Sequence, residues 1–221
     1  MNRTKVVLIV SVIALLFLTP LTASADLVGA LFVPNAALSP FPPDYASVVI
    51  HLVSATEATV TYTALTHDGF TYLLGGNAAA DFNVNASSFT ATATGTCAFT
   101  SCGPLTVNIG STNVSDFGHY NISVDAFDGF TNAFSSITLD IINTGGTWAN
   151  EAAVRLFNED HLWAAGHIFV CDAPCTSSTV PALITGFAGG AARTDVPEPA
   201  TVALLGAGLV LLGAAVRRLK K

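Results

Sequence analysis

Apolar and polar positions alternate through the middle of the chain. In the stretch TVTYTAL, Val60, Tyr62 and Ala64 fall on one side of an extended strand, with Thr59, Thr61 and Thr63 on the other. In YNISVDA the same period groups Tyr120, Ile122, Val124 and Ala126 opposite Asn121, Ser123 and Asp125. Each reads as a strand with one buried and one wet face. The alternation recurs at Ser88 to Thr94, Leu105 to Ile109 and Ser136 to Ile141. Apolar runs at Leu27 to Val33, Val48 to Val53, His167 to Val170 and Leu183 to Phe187 read as further strands, with Gly, Asn, Asp and Pro between them. Plentiful Thr, Ser and Ala beside scarce Lys and Glu suits sheets better than helices, and the one helical candidate here is Trp148 to Trp163. The pattern predicts an all-β domain of roughly eight to ten short antiparallel strands in a two-sheet β-sandwich. Asp68-Gly69-Phe70-Thr71 and Asp128-Gly129-Phe130-Thr131 repeat one sequence, which predicts two similar hairpins with Asp-Gly in their tight turns.

Both ends of the chain break the alternation. Arg3 and Lys5 precede an apolar run from Val6 to Leu18, and Ala23-Ser24-Ala25 then supplies the small residues a signal peptidase accepts. Residues 1–25 therefore read as a secretory signal peptide, handled by the general secretory machinery and removed between Ala25 and Asp26. At the other end, Ala200 to Val216 carries no charge over 17 residues. As a helix it reaches about 25 Å, against a hydrocarbon core of about 30 Å. Arg217, Arg218, Lys220 and Lys221 follow it and mark the cytoplasmic side. This predicts a single-pass inner-membrane protein with its ectodomain outside the cytoplasm, divided into 1–25, a secreted domain at 26–195 and a tail at 196–221.

Val196, Pro197, Glu198 and Pro199 open that tail, and Pro197 and Pro199 hold it extended because neither fits a continuous helix. This motif, the apolar segment 200–216 and the basic residues 217–221 together resemble the PEP-CTERM protein-sorting signal. The resemblance covers the last 26 residues. It implies an exosortase-type membrane enzyme as processing partner, a product destined for the cell surface or extracellular matrix, and association with exopolysaccharide.

Charge narrows the partners of the domain. Residues 26–195 hold 14 acidic side chains against Arg155 and Arg193. Such a surface repels nucleic acid and attracts cations. Cys97 with Cys102 and Cys171 with Cys175 form two close pairs, which in an oxidising compartment predicts two local disulfides. A four-thiolate zinc site is the alternative, disfavoured by export.

Catalytic chemistry leaves little trace. His51, His67, His119, His161 and His167 are scattered, no G-x-S-x-G elbow is present, and the adjacent Glu159 and Asp160 make poor acid/base partners. The expectation is a non-enzyme without a cofactor. Calcium at Asp68, Asp125 and Asp128 stays open as an alternative, although no D-x-D-x-D-G loop occurs. Two functions follow: a non-catalytic surface or matrix protein, or a carbohydrate-binding module or polysaccharide hydrolase. Phe41, Tyr45, Phe70, Tyr72, Phe130, Trp148 and Trp163, expected near turns, are the candidate sugar-stacking rings of the second.

Overall fold

Alternation is expressed most directly where one face of a strand packs and the other meets water. The structure is a computed structural model that describes residues 26–191. Its strands are β1 (Leu27–Pro34), β2 (Ala46–Ser54), β3 (Glu57–Ala64), β4 (Thr66–His67), β5 (Phe70–Leu74), β6 (Ala80–Phe82), β7 (Phe89–Cys97), β8 (Thr106–Val114), β9 (Gly118–Asp125), β10 (Phe134–Asn143), β11 (Ala164–Asp172) and β12 (Ile184–Ala191). In β3, Ala58, Val60 and Tyr62 are buried, whereas Glu57 and Thr63 are exposed. Opposite them Ile137, Leu139 and Ile141 of β10 are buried, paired with Tyr62, Val60 and Ala58.

All the strand pairings are antiparallel. Hydrogen bonding runs in the order β10–β3–β2–β1–β12–β11–β6–β9–β8, with β7 on β10 and β5 on β11. The all-β antiparallel expectation is therefore met, but the expected two sheets are joined into one. Strand β1 pairs with β2 on one edge and with β12 on the other, so the layers run into each other through it. A single bridge, Phe134 to Leu74, links β10 to β5 on the far side. The main core lies between the layers, with Val48, Ile50, Val60, Leu139 and Ile141 from one and Phe82, Ile122, Val124, Ile168 and Val170 from the other.

The second layer is covered on its outer face as well. Val114, Phe117, Leu162 and Ala165 form one outer cluster, and Leu73, Ala133, Phe169 and Cys171 another. Ser123, expected to face water, is consequently only 1% exposed. Strands β4 and β5 form the hairpin expected at Asp68-Gly69, whereas β6 was not expected, and it is buried at all three of its residues. The helix expected at Trp148 to Trp163 is instead irregular chain with one 3₁₀ turn, Glu151–Ala153, capped by the Asn150 side chain, which accepts from the Ala153 N–H. Asn side chains hold much of this chain in place by bonding backbone, and that competes with helix. Asn85 Nδ2 donates to the Ala153 carbonyl, and Asn158 Oδ1 accepts from the N–H groups of Asp160 and Leu162.

The repeated Asp-Gly sequences diverge. Asp68 and Gly69 both have positive φ, 50° and 84°, and make the tight turn between β4 and β5. Asp128-Gly129 instead leads into a 3₁₀ turn, Phe130–Asn132, with Gly129 at φ 98°. The expected signal peptide at 1–25 and the apolar segment 200–216, expected to be helical, lie outside the described residues. Among the described residues no helix is long and apolar enough to cross a membrane.

Replacing Val60 by Asp should cost several kcal/mol out of a total of roughly 5–15, because the carboxylate would enter the core without a partner. Thr63→Asp, on the exposed face of the same strand, should shift stability by no more than about 0.5 kcal/mol. Urea unfolding of the two variants checks this, and equal losses would show that the faces of β3 are wrongly assigned.

Candidate functional site

Beneath the outer cluster of the second layer lies an unusual polar centre. Asp81, in the middle of β6, is opposed by Ala165 on β11 and by Ser123 on β9. It is 0% exposed, and neither carboxyl oxygen has a hydrogen-bond partner; the Ser123 hydroxyl is also unpaired. Its main-chain carbonyl accepts from the Tyr62 hydroxyl, which reaches across from the other layer. Burial, reinforced by the charge of Asp125, pushes the Asp81 carboxyl up to about 8. The approaching Ser123 hydroxyl offsets this in part but falls short of a hydrogen bond. Tyr62 and Tyr120 are likewise raised, by burial first and by Asp81 second. At neutral pH the centre is held largely as neutral hydroxyl and carboxyl groups.

A second feature is a run of rings on the outer face of β11 and β12. His167 stacks on Phe187 with centroids 4.6 Å apart and lies 5.2 Å from Phe169. Phe169 meets Phe130 at 5.7 Å, and Phe130 meets Phe99 at 5.2 Å. Phe99, Phe130 and Phe187 are half-buried. His167 Nε2 is hydrogen-bonded to the Thr185 hydroxyl, while Nδ1 is buried without a partner. Burial lowers the His167 pKa, against the opposing pull of the Gly75 carbonyl and the Asp128 carboxylate, so the ring is neutral near pH 7.

The sequence-predicted residues fall in several places. Cys97 is bonded to Cys102 and Cys171 to Cys175, with Cα separations of 5.4 and 6.0 Å. Both loops converge on the ring run, where Ala98, Phe99 and Cys175 pack on the cluster containing Cys171 and Phe169. Asp26 Oδ1 lies within hydrogen-bond distance of His51 Nδ1, at 2.6 Å, one residue before β1 begins. Asp68 contacts His67. Asp125 accepts from the Ala78 N–H and from Asn108 Nδ2. Asp128 lies near Gly76 and His167. The three aspartates are thus in separate settings, and among the described residues no three His, Cys, Asp or Glu side chains are grouped to hold a metal ion.

The histidines are separate too. His119 pairs with Glu159 at 2.6 Å, an exposed contact that lowers the Glu159 pKa. Glu159 and Asp160 sit in a turn rather than a strand. The candidate sugar-stacking rings require correction: Tyr45, Tyr72, Trp148 and Trp163 are all buried, and Phe41 and Phe70 pack against the core. Tyr45 and Tyr72 donate hydroxyls to the carbonyls of Phe41 and Pro42, which fastens the loop before β2. Phe130 alone of the seven belongs to the half-exposed run; Phe99 and Phe187 were not singled out. Ala23, Ala25, Val196, Pro197, Glu198, Pro199, Arg217, Arg218, Lys220 and Lys221 lie outside the described residues.

The last described residue, Ala191, is paired with Ala30 near the start of β1, so the two ends of the described residues lie close together. An antiparallel β domain followed within a few residues by a separate proline, apolar and basic tail is the layout of a chain whose tail carries the delivery signal. Residues 195–220 match the family model of the PEP-CTERM protein-sorting motif. The chain carries that signal, which directs export toward the cell envelope or surface and implies an exosortase-type processing partner. No curated protein and no solved structure matches the chain.

Asp81 generates a signed prediction. Its folded pKa lies above the unfolded value, so the native state binds the extra proton between about pH 4 and about pH 8. Stability should fall as pH rises through that window and level off above it. Asp81→Asn should remove most of the slope and be the more stable protein at pH 9, by several kcal/mol. Thermal unfolding from pH 5 to pH 9 checks this, and parallel pH profiles for the two proteins would refute it.

Proposed function

We propose that this chain is a non-catalytic cell-surface or extracellular-matrix protein. After signal peptidase exposes Asp26, segment 200–216 holds it in the inner membrane with the β domain outside the cytoplasm. The basic residues Arg217 to Lys221 stop transfer. An exosortase-type enzyme then cuts near Pro199, and the product joins the exopolysaccharide at the surface. The carrying observation is the match of residues 195–220 to the sorting motif a few residues after β12, the last described strand. The acidic domain supports a partner other than nucleic acid. The reading needs no cofactor.

A carbohydrate-binding role is the second reading, and the half-buried rings Phe99, Phe130 and Phe187 favour it, since aromatic faces beside polar groups suit sugar rings. Retention of the protein on the host's exopolysaccharide, lost on Phe187→Ala with folding intact, would support that role. Shortened polysaccharide chains would point to a hydrolase instead.

Replacing Pro197, Glu198 and Pro199 by alanine should leave membrane insertion intact and block processing, so that full-length chain accumulates in the inner membrane of a host with the sorting enzyme. Mass spectrometry of the C-terminus decides the matter. Wild-type protein found there solely as chains ending at Lys221 would defeat the sorting reading.

A further inference from the structure

We propose that the free edge of β7 is a docking edge for a second copy of this chain, paired strand to strand and antiparallel about a two-fold axis. Strand β7 is bonded to β10 from Phe89 opposite Asn143 to Cys97 opposite Phe134. Among the described residues no strand pairs along its other edge. Alternate N–H and C=O groups of a nine-residue strand therefore face outward, where they bond water or another strand.

Sheet edges are normally defended by charge, proline, bulges or short length. The other ends of this sheet are defended: β4 is two residues long, and β8 carries Gly110 at φ 144° with a register shift between Ile109 and Thr112. The sequence of β7, FTATATGTC, has no charge and no proline, and the register shift in its ladder is confined to the end beside Cys97. This neutrality stands out in a domain whose described residues hold 13 acids and, histidine aside, one base, Arg155.

The strand is also complementary to itself. A two-fold axis at Ala93 sets Thr92 opposite Thr94 of the second copy, Thr90 opposite Thr96 and Ala91 opposite Gly95. Thr90, Thr92, Thr94 and Thr96 are exposed, whereas Ala91 and Ala93 are half-buried against the core, so the pairing keeps each face in phase. Cross-strand threonine pairs are favourable. The nearest acid across the β10 ladder is Asp140, opposite Thr92. Its counterpart in the second copy would lie three strand spacings away, about 14 Å, beyond a screening length of about 8 Å. Two strongly acidic molecules can thus meet along this line without charge against charge. The inference concerns the β domain and stands whether or not the tail is processed.

Sedimentation of the full-length chain in mild detergent, over a concentration series reaching the millimolar range, tests it. The wild type should move from monomer to dimer, and Thr92→Lys with Thr94→Lys should remain monomeric, since each lysine would face another across the axis. Ser111→Lys with Asn113→Lys on β8 should leave the dimer intact. Hydrogen exchange adds a reading independent of the variants: at high concentration both alternate sets of amides in residues 90–96 should be slow, and on dilution one set should become fast. A wild type that stays monomeric, a dimer that survives the β7 lysines in a folded variant, or one lost with the β8 lysines alone would overturn the proposal.

Discussion

The fold turns on β1, the strand that pairs with both layers. Two sheets can be joined this way only if their inner faces approach closely at the join, and side-chain bulk has to be surrendered there. Gly29 on β1 faces the Trp163 ring, which a Cβ at that position would overlap. Gly166 on β11 and Gly190 on β12 leave the space that Leu31 occupies. Leu31 and Trp163 are each 0% exposed, and Trp163 meets Phe82 edge-on at 5.9 Å. Small residues on three strands thus admit two large ones. The Trp163 N–H bonds the Gly190 carbonyl and its own carbonyl accepts from Asn83, so the same residue ties β12 to the end of β6.

How much of this was legible depends on how many faces of a strand are covered. In β3 and β10 one face meets water, so apolar and polar residues alternate and the strands can be read directly. In β5 and β6 both faces are covered, and YLL or ADF carries no period to read. The same covering misplaced Ser123: its strand alternates cleanly, but the polar side lies under Phe117, Leu162 and their neighbours. Between Trp148 and Trp163, composition alone suggested helix. The Asn side chains that stitch that segment to neighbouring backbone act only in the folded context, and a sequence window cannot contain them. Both disulfides were legible because each closes a loop of a few residues, a local property. The ring run was not, since Phe99, Phe130, Phe169 and Phe187 come from four segments that only the fold brings together.

The Asp81 centre shows the cost of covering both faces. A carboxyl placed there is shut off from the surface without a protein partner, and burial favours the form that keeps its proton. Asn83 and Asn121, close by, follow the opposite rule. Asn83 Oδ1 accepts from the Asn121 N–H, while Asn121 accepts from the Val84 N–H and donates to its carbonyl, so these amides extend the β6–β9 pairing past the end of the strands. A satisfied amide and an unsatisfied acid thus stand only two residues apart along the same segment.

Backbone hydrogen bonding also fixes where the last described strand lies relative to the sorting motif. Strand β12 is held by β11 from Ile184 to Gly190 and by β1 from Ala188 to Ala191, the last described residue, which lies opposite Ala30. From Ala191 to Pro197 the chain can reach at most about 20 Å even fully extended. Any enzyme acting on the sorting motif must therefore work within that distance of the folded domain. Because β12 closes against β1, the first strand after the expected signal-peptide cleavage, the domain completes its sheet only when nearly all of it has been exported. Its completion thus brings the start of the mature chain beside the segment that leads into the sorting signal. Such an arrangement favours processing of a finished domain: an enzyme reading the tail can cut beyond β12 without withdrawing a strand from the sheet.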